Sequence, residues 1–228
     1  PLDITPRAET ERWAGALDAE LLATGTLRRQ DAGGPVAELP GFAEGGWWVQ
    51  DTAAALAARV LLSALGTGAG DARLIDLCAA PGGKTAQLAA AGAHVTAVER
   101  APERIALIAE NLARLGLDAE LVRADAIKWR PKAVPDGVLL DAPCTATGTI
   151  RRHPDIAWAK KPADVKRLVP IQDRLLAEAA KMIHSGGILV YSVCSLEPEE
   201  GPMRISALLQ ADKGLVRVPV TPDEIGGL

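Results

Sequence analysis

No uninterrupted apolar run in this chain of 228 residues approaches the ~20 residues of a bilayer-crossing helix. The first residues, PLDITPRAETERW, are polar and charged and contain no apolar core of a secretory leader. The expectation is therefore no membrane association. An initiator Met is missing too, so the chain is expected to be a processed protein or a fragment of a longer one. Cysteine is scarce: Cys78, Cys144 and Cys194 stand far apart, without C-x-x-C or a Cys/His spacing suited to zinc. No metal site is expected, and free thiols fit a reducing, cytoplasmic setting. Excess positive charge is absent overall, the formal net charge being -4. That argues against a protein coated in nucleic acid. The charge is unevenly spread, however: Arg151, Arg152, His153, Lys160, Lys161, Lys166 and Arg167 fall in one short span. Such a run is either a solvated face or a local phosphate-binding patch.

What is present fits one good-sized α/β core with a small appendage. Residues 1–46 show no strong period. A short helix is expected around Trp13, Leu17, Leu21 and Leu22, followed by turn signals at DAGGP and LPGFAEGG. This is read as a small N-terminal subdomain, with residues 47–228 forming the main domain. VQDTAAALAARVLLSAL has helical apolar spacing and stops at Gly66, and GTGAGD reads as a loop. From Arg73 strands and helices alternate: RLIDLCA, KTAQLAAA, HVTAVE, APERIALIAENLARLG, AELVRAD, GVLLDAP, VPIQDRLLAEAAKMIHSGG, GILVYSVCS and PEEGPMRISALLQ. Alternation of this kind predicts a doubly wound, mostly parallel sheet, with ligands beyond the carboxyl ends of its strands.

In DLCAAPGGKTAQLAA a strand runs through a Gly-rich turn into a helix. Gly82 and Gly83 allow close backbone approach, and the helix start offers free N–H groups. Lys84 and Thr85 imitate a phosphate loop, but Cys78 stands where the Walker pattern needs glycine. A nucleoside-triphosphatase is thereby disfavoured. The G-x-G-x-x-G of dehydrogenases is missing as well, which argues against NAD. The next strand ends in Glu99, placed to accept from both ribose hydroxyls or simply to cap the following helix. The strand after it leads to Asp125, which can reach an adenine amino group or serve as a turn residue. A Gly loop and two acids at successive strand ends form the layout of a Rossmann-like class I methyltransferase that binds S-adenosylmethionine.

Two strands then end in cysteine: VLLDAPCTATG at Cys144 and LVYSVCS at Cys194. Carbon 5 of cytosine is a poor nucleophile until a thiolate adds to C6. Methylation there needs a reactive cysteine, a group on the base edge, and a route for the C5 proton. Asp141, just before Pro143 and Cys144, can bond to the base edge and to the cofactor's amino group. The residues alone leave open which thiol attacks. Cys78, at the root of the Gly loop, reads as a small buried hydrophobe.

DLCAAPGGKT, LLDAPCTATGTIRRHPDIAW and LVYSVCSLEPEEG closely resemble three signature motifs of the Sun/Nop RNA cytosine-5 methyltransferase family. The resemblance runs from about Trp47 to Glu200. It implies that Cys194 is the attacking thiol and that Cys144 helps to resolve the covalent adduct. It also implies cofactor contacts from Cys78, Ala79, Ala80, Pro81, Gly82, Gly83, Lys84, Glu99, Arg104, Asp125 and Asp141. RNA is the implied substrate, 16S ribosomal RNA before transfer RNA. The basic run, through Arg151, Arg152, Lys160 and Lys161, is then expected to contact it, and since nothing in the residues demands a dimer, a monomer is expected. Departures are few: Thr145-Ala146 follows the first cysteine in place of Ser-Gly or Ser-Ala, and Ser192-Val193 precedes the second in place of Ala-Thr. The family's bacterial members carry an N-terminal helical RNA-binding domain, and the family usually ends on an aromatic-rich strand. Neither has a counterpart here, so a catalytic core is expected. The competing reading is a non-catalytic RNA-binding module, against which the two thiols and Asp141 speak.

Overall fold

The computed structural model describes residues 1–31 and 33–227. It begins with a small antiparallel sheet. The strands β1 (Leu2–Pro6), β2 (Glu20–Leu21), β3 (Leu27–Arg29) and β4 (Trp47–Val49) lie in the order β2-β3-β1-β4. Helix α1 (Thr10–Ala16) packs on it through Trp13, against Ile4, Leu27 and Trp47. The expected helix through Leu21 and Leu22 is shorter than its apolar spacing suggests. Asp18 adopts a left-handed conformation (φ 48°), which breaks the helix and sends Leu21 into β2. The small sheet includes Trp47–Val49, just beyond residue 46. Buried Asp3 ties it to the main domain, accepting from Arg28 Nε (2.7 Å) and from the backbone N–H of Thr52 (3.1 Å).

Helix α2 (Thr52–Leu65) starts on the side chain of Asp51, which accepts from Ala53 N at 2.9 Å, and ends at Gly66 with φ 61°. The GTGAGD segment that follows is a 3-10 turn rather than an open loop. By length and composition alone, Thr52–Asp71 would suffice to cross a membrane. Here Ala58 and Leu61 are fully buried in the core.

The predicted alternation is present: β5 (Arg73–Leu77), α3 (Gly83–Ala90), β6 (His94–Glu99), α4 (Pro102–Leu115), β7 (Glu120–Arg123), β8 (Gly137–Asp141), α5 (Ile156–Ala159), α6 (Pro162–Ala180), β9 (Ile188–Ser192) and α7 (Pro202–Ala211). The five strands pair in parallel in the order β7-β6-β5-β8-β9. Helix α6 begins seven residues before the predicted Val169 and contains Pro170. Pro170 offers no N–H to the carbonyl of Lys166, and both residues are solvent-exposed, so water can satisfy that carbonyl.

Strand period two places alternate residues on opposite faces. Leu74 and Leu139 face Ala58, Leu61 and Leu88, while Ile75, Leu77, Val138 and Leu140 face Leu175, Leu176 and Ala179. Helices therefore cover both faces. Full burial of Leu77, Leu139 and Leu140 contributes roughly 2 kcal/mol for each. Strand order reverses between β5 and β8. A crevice at their carboxyl ends follows from that reversal alone.

Candidate active site

The Gly-rich turn leaves β5 at Cys78, whose φ is +63°, and enters α3 through Gly82, whose φ is +98°. A Cβ at Gly82 would stand 3.1 Å from Ile108 Cγ2, so glycine is required there by both conformation and space. The carbonyl of Ala80 accepts from Arg104 Nη2 (2.8 Å), which pins the turn to α4. Beneath it, fully buried Asp76 accepts from Thr85 Oγ1 at 2.6 Å, and its Oδ1 has no partner. Burial pushes the Asp76 carboxyl up to about 7. Burial likewise pushes the Cys78 thiol up to about 12, so it is inert as a nucleophile.

Lys84 does not extend into a phosphate cradle. Its Nζ donates to Asp141 Oδ2 at 2.7 Å, from α3 across to the end of β8. Ser192 Oγ donates to the other oxygen, Oδ1, at 3.0 Å. The β8–β9 register pairs Asp141 with Ser192, which makes this contact a consequence of the sheet.

At the end of β6, Glu99 Oε1 accepts from the N–H groups of Arg100 (2.8 Å) and Ala101 (3.1 Å). It therefore does cap the turn into α4. Its Oε2 is buried without a hydrogen-bond partner among the described residues, with Arg104 Nη1 at 3.5 Å. An orphaned buried carboxylate oxygen costs energy unless a donor arrives. A vicinal diol is such a donor, so the residues fit the ribose of a nucleoside cofactor. Asp125 is half-buried and forms a turn, accepting from Ile127 N at 3.0 Å through Oδ1.

The two late cysteines meet. Cys144 Sγ and Cys194 Sγ lie 3.4 Å apart, although the residues are fifty positions apart in sequence. Their acidities diverge. The hydrogen bond from Cys144 lowers the Cys194 thiol to about 7, helped by the Lys84 charge and opposed by burial and Asp141. The same hydrogen bond and burial raise the Cys144 thiol strongly. The shared hydrogen bond thus holds a proton toward Cys144 and shifts Cys194 toward thiolate. Alkylation by iodoacetamide is expected to follow a midpoint near pH 7 at Cys194 and to leave Cys78 unlabelled, as peptide mass mapping would read.

Residues that sequence reading missed brace this pair. Glu200 is completely buried. Its carboxylate accepts from Thr145 N at 3.1 Å through both oxygens, from Thr145 Oγ1, and from Gln172 Nε2 at 2.9 Å. Burial would raise its pKa, but donors from Ser195, Thr145 and Gln172 hold it below the usual carboxylate range. Gln172 also donates to the carbonyl of Pro143, and Tyr191 Oη donates to that of Glu200. The loop carrying Cys144 is thereby fixed to α6 and to the segment after Cys194. Nothing in EPEE distinguishes Glu200 from its exposed neighbours. Gly148 N donates to the carbonyl of Cys194 at 3.0 Å, and a Cβ there would stand 2.9 Å from that oxygen.

Arg151 and Arg152 both reach Asp51 Oδ2, at 3.1 and 3.4 Å, so part of their charge is spent on the start of α2. Lys160 and Lys161 are exposed and form no ion pair among the described residues.

Residues 64–225 match the sequence model of the family described as 16S rRNA methyltransferase RsmB/F. The chain belongs to that family. The match takes in every element from β5 to α7, and with them both meeting thiols, the Gly-rich turn, Glu99, Asp125 and Asp141. Among curated relatives, ribosomal RNA small subunit methyltransferase B of Klebsiella pneumoniae (strain 342) is 44% identical over 180 residues, 77% of this chain and 41% of that protein. Its namesake in Salmonella arizonae is 41% identical over 205 residues, 87% of this chain and 46% of that protein. The chain spans less than half the length of these two relatives. Among solved structures, a methyltransferase homolog protein from Pyrococcus horikoshii superposes with TM-score 0.72 at 27% identity, covering 92% of this chain and 70% of that one. NSun6 from the same organism superposes with TM-score 0.67 at 30% identity, covering 78% and 46%. These two structures share this chain's overall fold.

Proposed function

We propose that this chain is the catalytic core of an S-adenosylmethionine-dependent RNA cytosine-5 methyltransferase acting on small-subunit ribosomal RNA. The observation that carries the reading is the thiol pair beyond the carboxyl ends of β8 and β9: two sulfurs 3.4 Å apart, beside the Lys84–Asp141 pair.

S-adenosylmethionine, when bound, supplies an electrophilic methyl group. The Gly82 turn and Glu99 would hold its nucleoside end, with Arg104 and Asp125 beside them. The chain's own groups do the rest. Cys194, already partly thiolate, adds to C6 of the cytosine and turns C5 into a nucleophile. The Asp141 carboxylate, fixed by Lys84 and Ser192, accepts from the exocyclic amine and fixes the base in the plane of attack. Bonding of Cys194 to C6 removes the partner that held the Cys144 proton in place. The Cys144 thiol then becomes more acidic, passes its proton to solvent water, and as the thiolate takes the C5 proton as a base. Elimination restores the Cys194 thiolate and releases the methylated base.

The test is methyl transfer from S-adenosylmethionine to unmodified small-subunit ribosomal RNA fragments, followed by nucleoside mass analysis. 5-Methylcytidine is the expected product, and a methyl group on any other atom sinks the reading. Alongside it, S-adenosylhomocysteine at about 100 times its Kd is expected to stabilise the fold by about 2.7 kcal/mol. Glu99→Gln should lose most of that calorimetric shift, since one diol acceptor is replaced by an amide. An unchanged shift would remove Glu99 from the cofactor site.

A further inference from the structure

The chain has seven aromatic residues, five of them Trp. Trp13, Trp47 and Trp48 are buried, and Trp129 packs against the core. Trp158 is 88% exposed. An indole left 88% exposed forgoes most of its burial gain and offers a large amphipathic ring to a ligand.

The ground beneath Trp158 is fixed. It sits on α5, in a strap that begins at Gly148, whose N–H is bonded to the carbonyl of Cys194. Leu196 N donates to Thr147 Oγ1 at 3.0 Å, a second tie between the strap and the Cys194 segment. Arg151 and Arg152 are moored on Asp51, and Ile156 is buried below. At the far end, Asp164 accepts from Lys161 N at 3.1 Å. The indole is therefore held out on a segment tied at several points to the Cys194 segment and to Asp51. Its surroundings are cationic: residues 151–167 hold six Lys and Arg against two Asp, in a chain of net charge -4. Lys160, Lys161 and Lys166 are exposed and form no ion pair among the described residues. An open π-face beside unpaired ammonium groups matches one kind of ligand, an unstacked base with its phosphates.

We propose that Trp158 is a stacking platform for an unpaired base of the RNA substrate, with Lys160 and Lys161 taking the adjoining phosphates. This rests on the RNA reading above and narrows it: the substrate segment is single-stranded where it meets the strap. Base stacking tolerates any sequence, so the platform sets the presentation of the RNA and leaves the choice of cytosine to other contacts.

The experiment is fluorescence anisotropy of the full chain with a labelled single-stranded ribosomal RNA fragment and its duplex, over a range of salt. Trp158→Ala should weaken single-strand binding about 5- to 100-fold with an unchanged salt slope, and Trp158→Phe should recover most of it. The double change Lys160→Ala and Lys161→Ala should flatten the salt slope by about 1.4, or ~0.7 for each phosphate contact. Because Trp158 is solvated, the melting temperature of Trp158→Ala should match that of the wild type. Wild-type and Trp158→Ala proteins that bind single strands equally well would overturn the platform while leaving the RNA reading intact. If Trp158→Ala instead converts a dimer to a monomer in sedimentation, with RNA affinity unchanged, the indole's partner is a second copy and the platform falls. A wild type that binds no RNA yet is stabilised by S-adenosylhomocysteine would overturn the RNA reading, and the platform with it.

Discussion

Cys194→Ala is expected to abolish methyl transfer and to leave no covalent capture of RNA. The expected loss is on the order of 10⁴-fold or more, the scale seen when a nucleophile is deleted from a unit that works as one. The reason lies in the thiol pair. Cys194 is the member whose thiol is lowered to about 7, while burial and the shared proton hold Cys144 protonated. Alanine at 194 leaves the cofactor turn, Glu99 and Asp141 in place, so S-adenosylhomocysteine should still raise the melting temperature. That control separates lost chemistry from lost folding. Turnover retained by Cys194→Ala would transfer the nucleophile's role to Cys144 or remove the covalent step altogether.

The companion change separates the two sulfurs. Cys144→Ala keeps the proposed nucleophile Cys194 and removes the sulfur that lies 3.4 Å from it. Addition and methyl transfer should proceed, and release should stall. An SDS-resistant protein–RNA adduct is expected in a denaturing gel for Cys144→Ala given S-adenosylmethionine, and none for Cys194→Ala. A second readout has a definite sign. The Cys144 thiol is the main cause of the lowered Cys194 pKa, so its removal moves the alkylation midpoint of Cys194 upward from about 7. An unchanged midpoint with normal turnover would show that Cys144 neither tunes Cys194 nor handles the C5 proton.

Both outcomes depend on Glu200 as much as on the sulfurs. The carboxylate spans Thr145, one residue past Cys144, and Gln172 of α6, and it is buried without a counter-charge of its own. Its ionised state is maintained by neutral donors, which fix the geometry of the loop carrying Cys144.

Much of this protein is legible in its residue order. The Gly82 turn, the Glu99 and Asp125 strand ends and the alternation after Arg73 specify a parallel α/β sheet with a crevice for a nucleoside cofactor, because φ preference, strand period and helix caps are local properties. The short α1 and the early start of α6 depart from the apolar spacing, and the cause is also local. A positive φ at Asp18 and a solvated Lys166 carbonyl before Pro170 override apolar spacing and proline avoidance.

The thiols are a different matter. That two strands end in cysteine is written in the sequence, but that these strands are neighbours is decided by the β5-β8-β9 order, and that the sulfurs touch is decided by the register pairing Asp141 with Ser192. Strand order and register come from hydrogen-bond ladders between segments fifty residues apart, and no local preference encodes them. The opposite acidities of Cys144 and Cys194, the Lys84–Asp141 pair, the Glu200 brace and the mooring of Arg151 and Arg152 on Asp51 all follow from that closure. Sequence alone determined which groups are available. The tertiary structure decided which of them share a proton, because that requires contact.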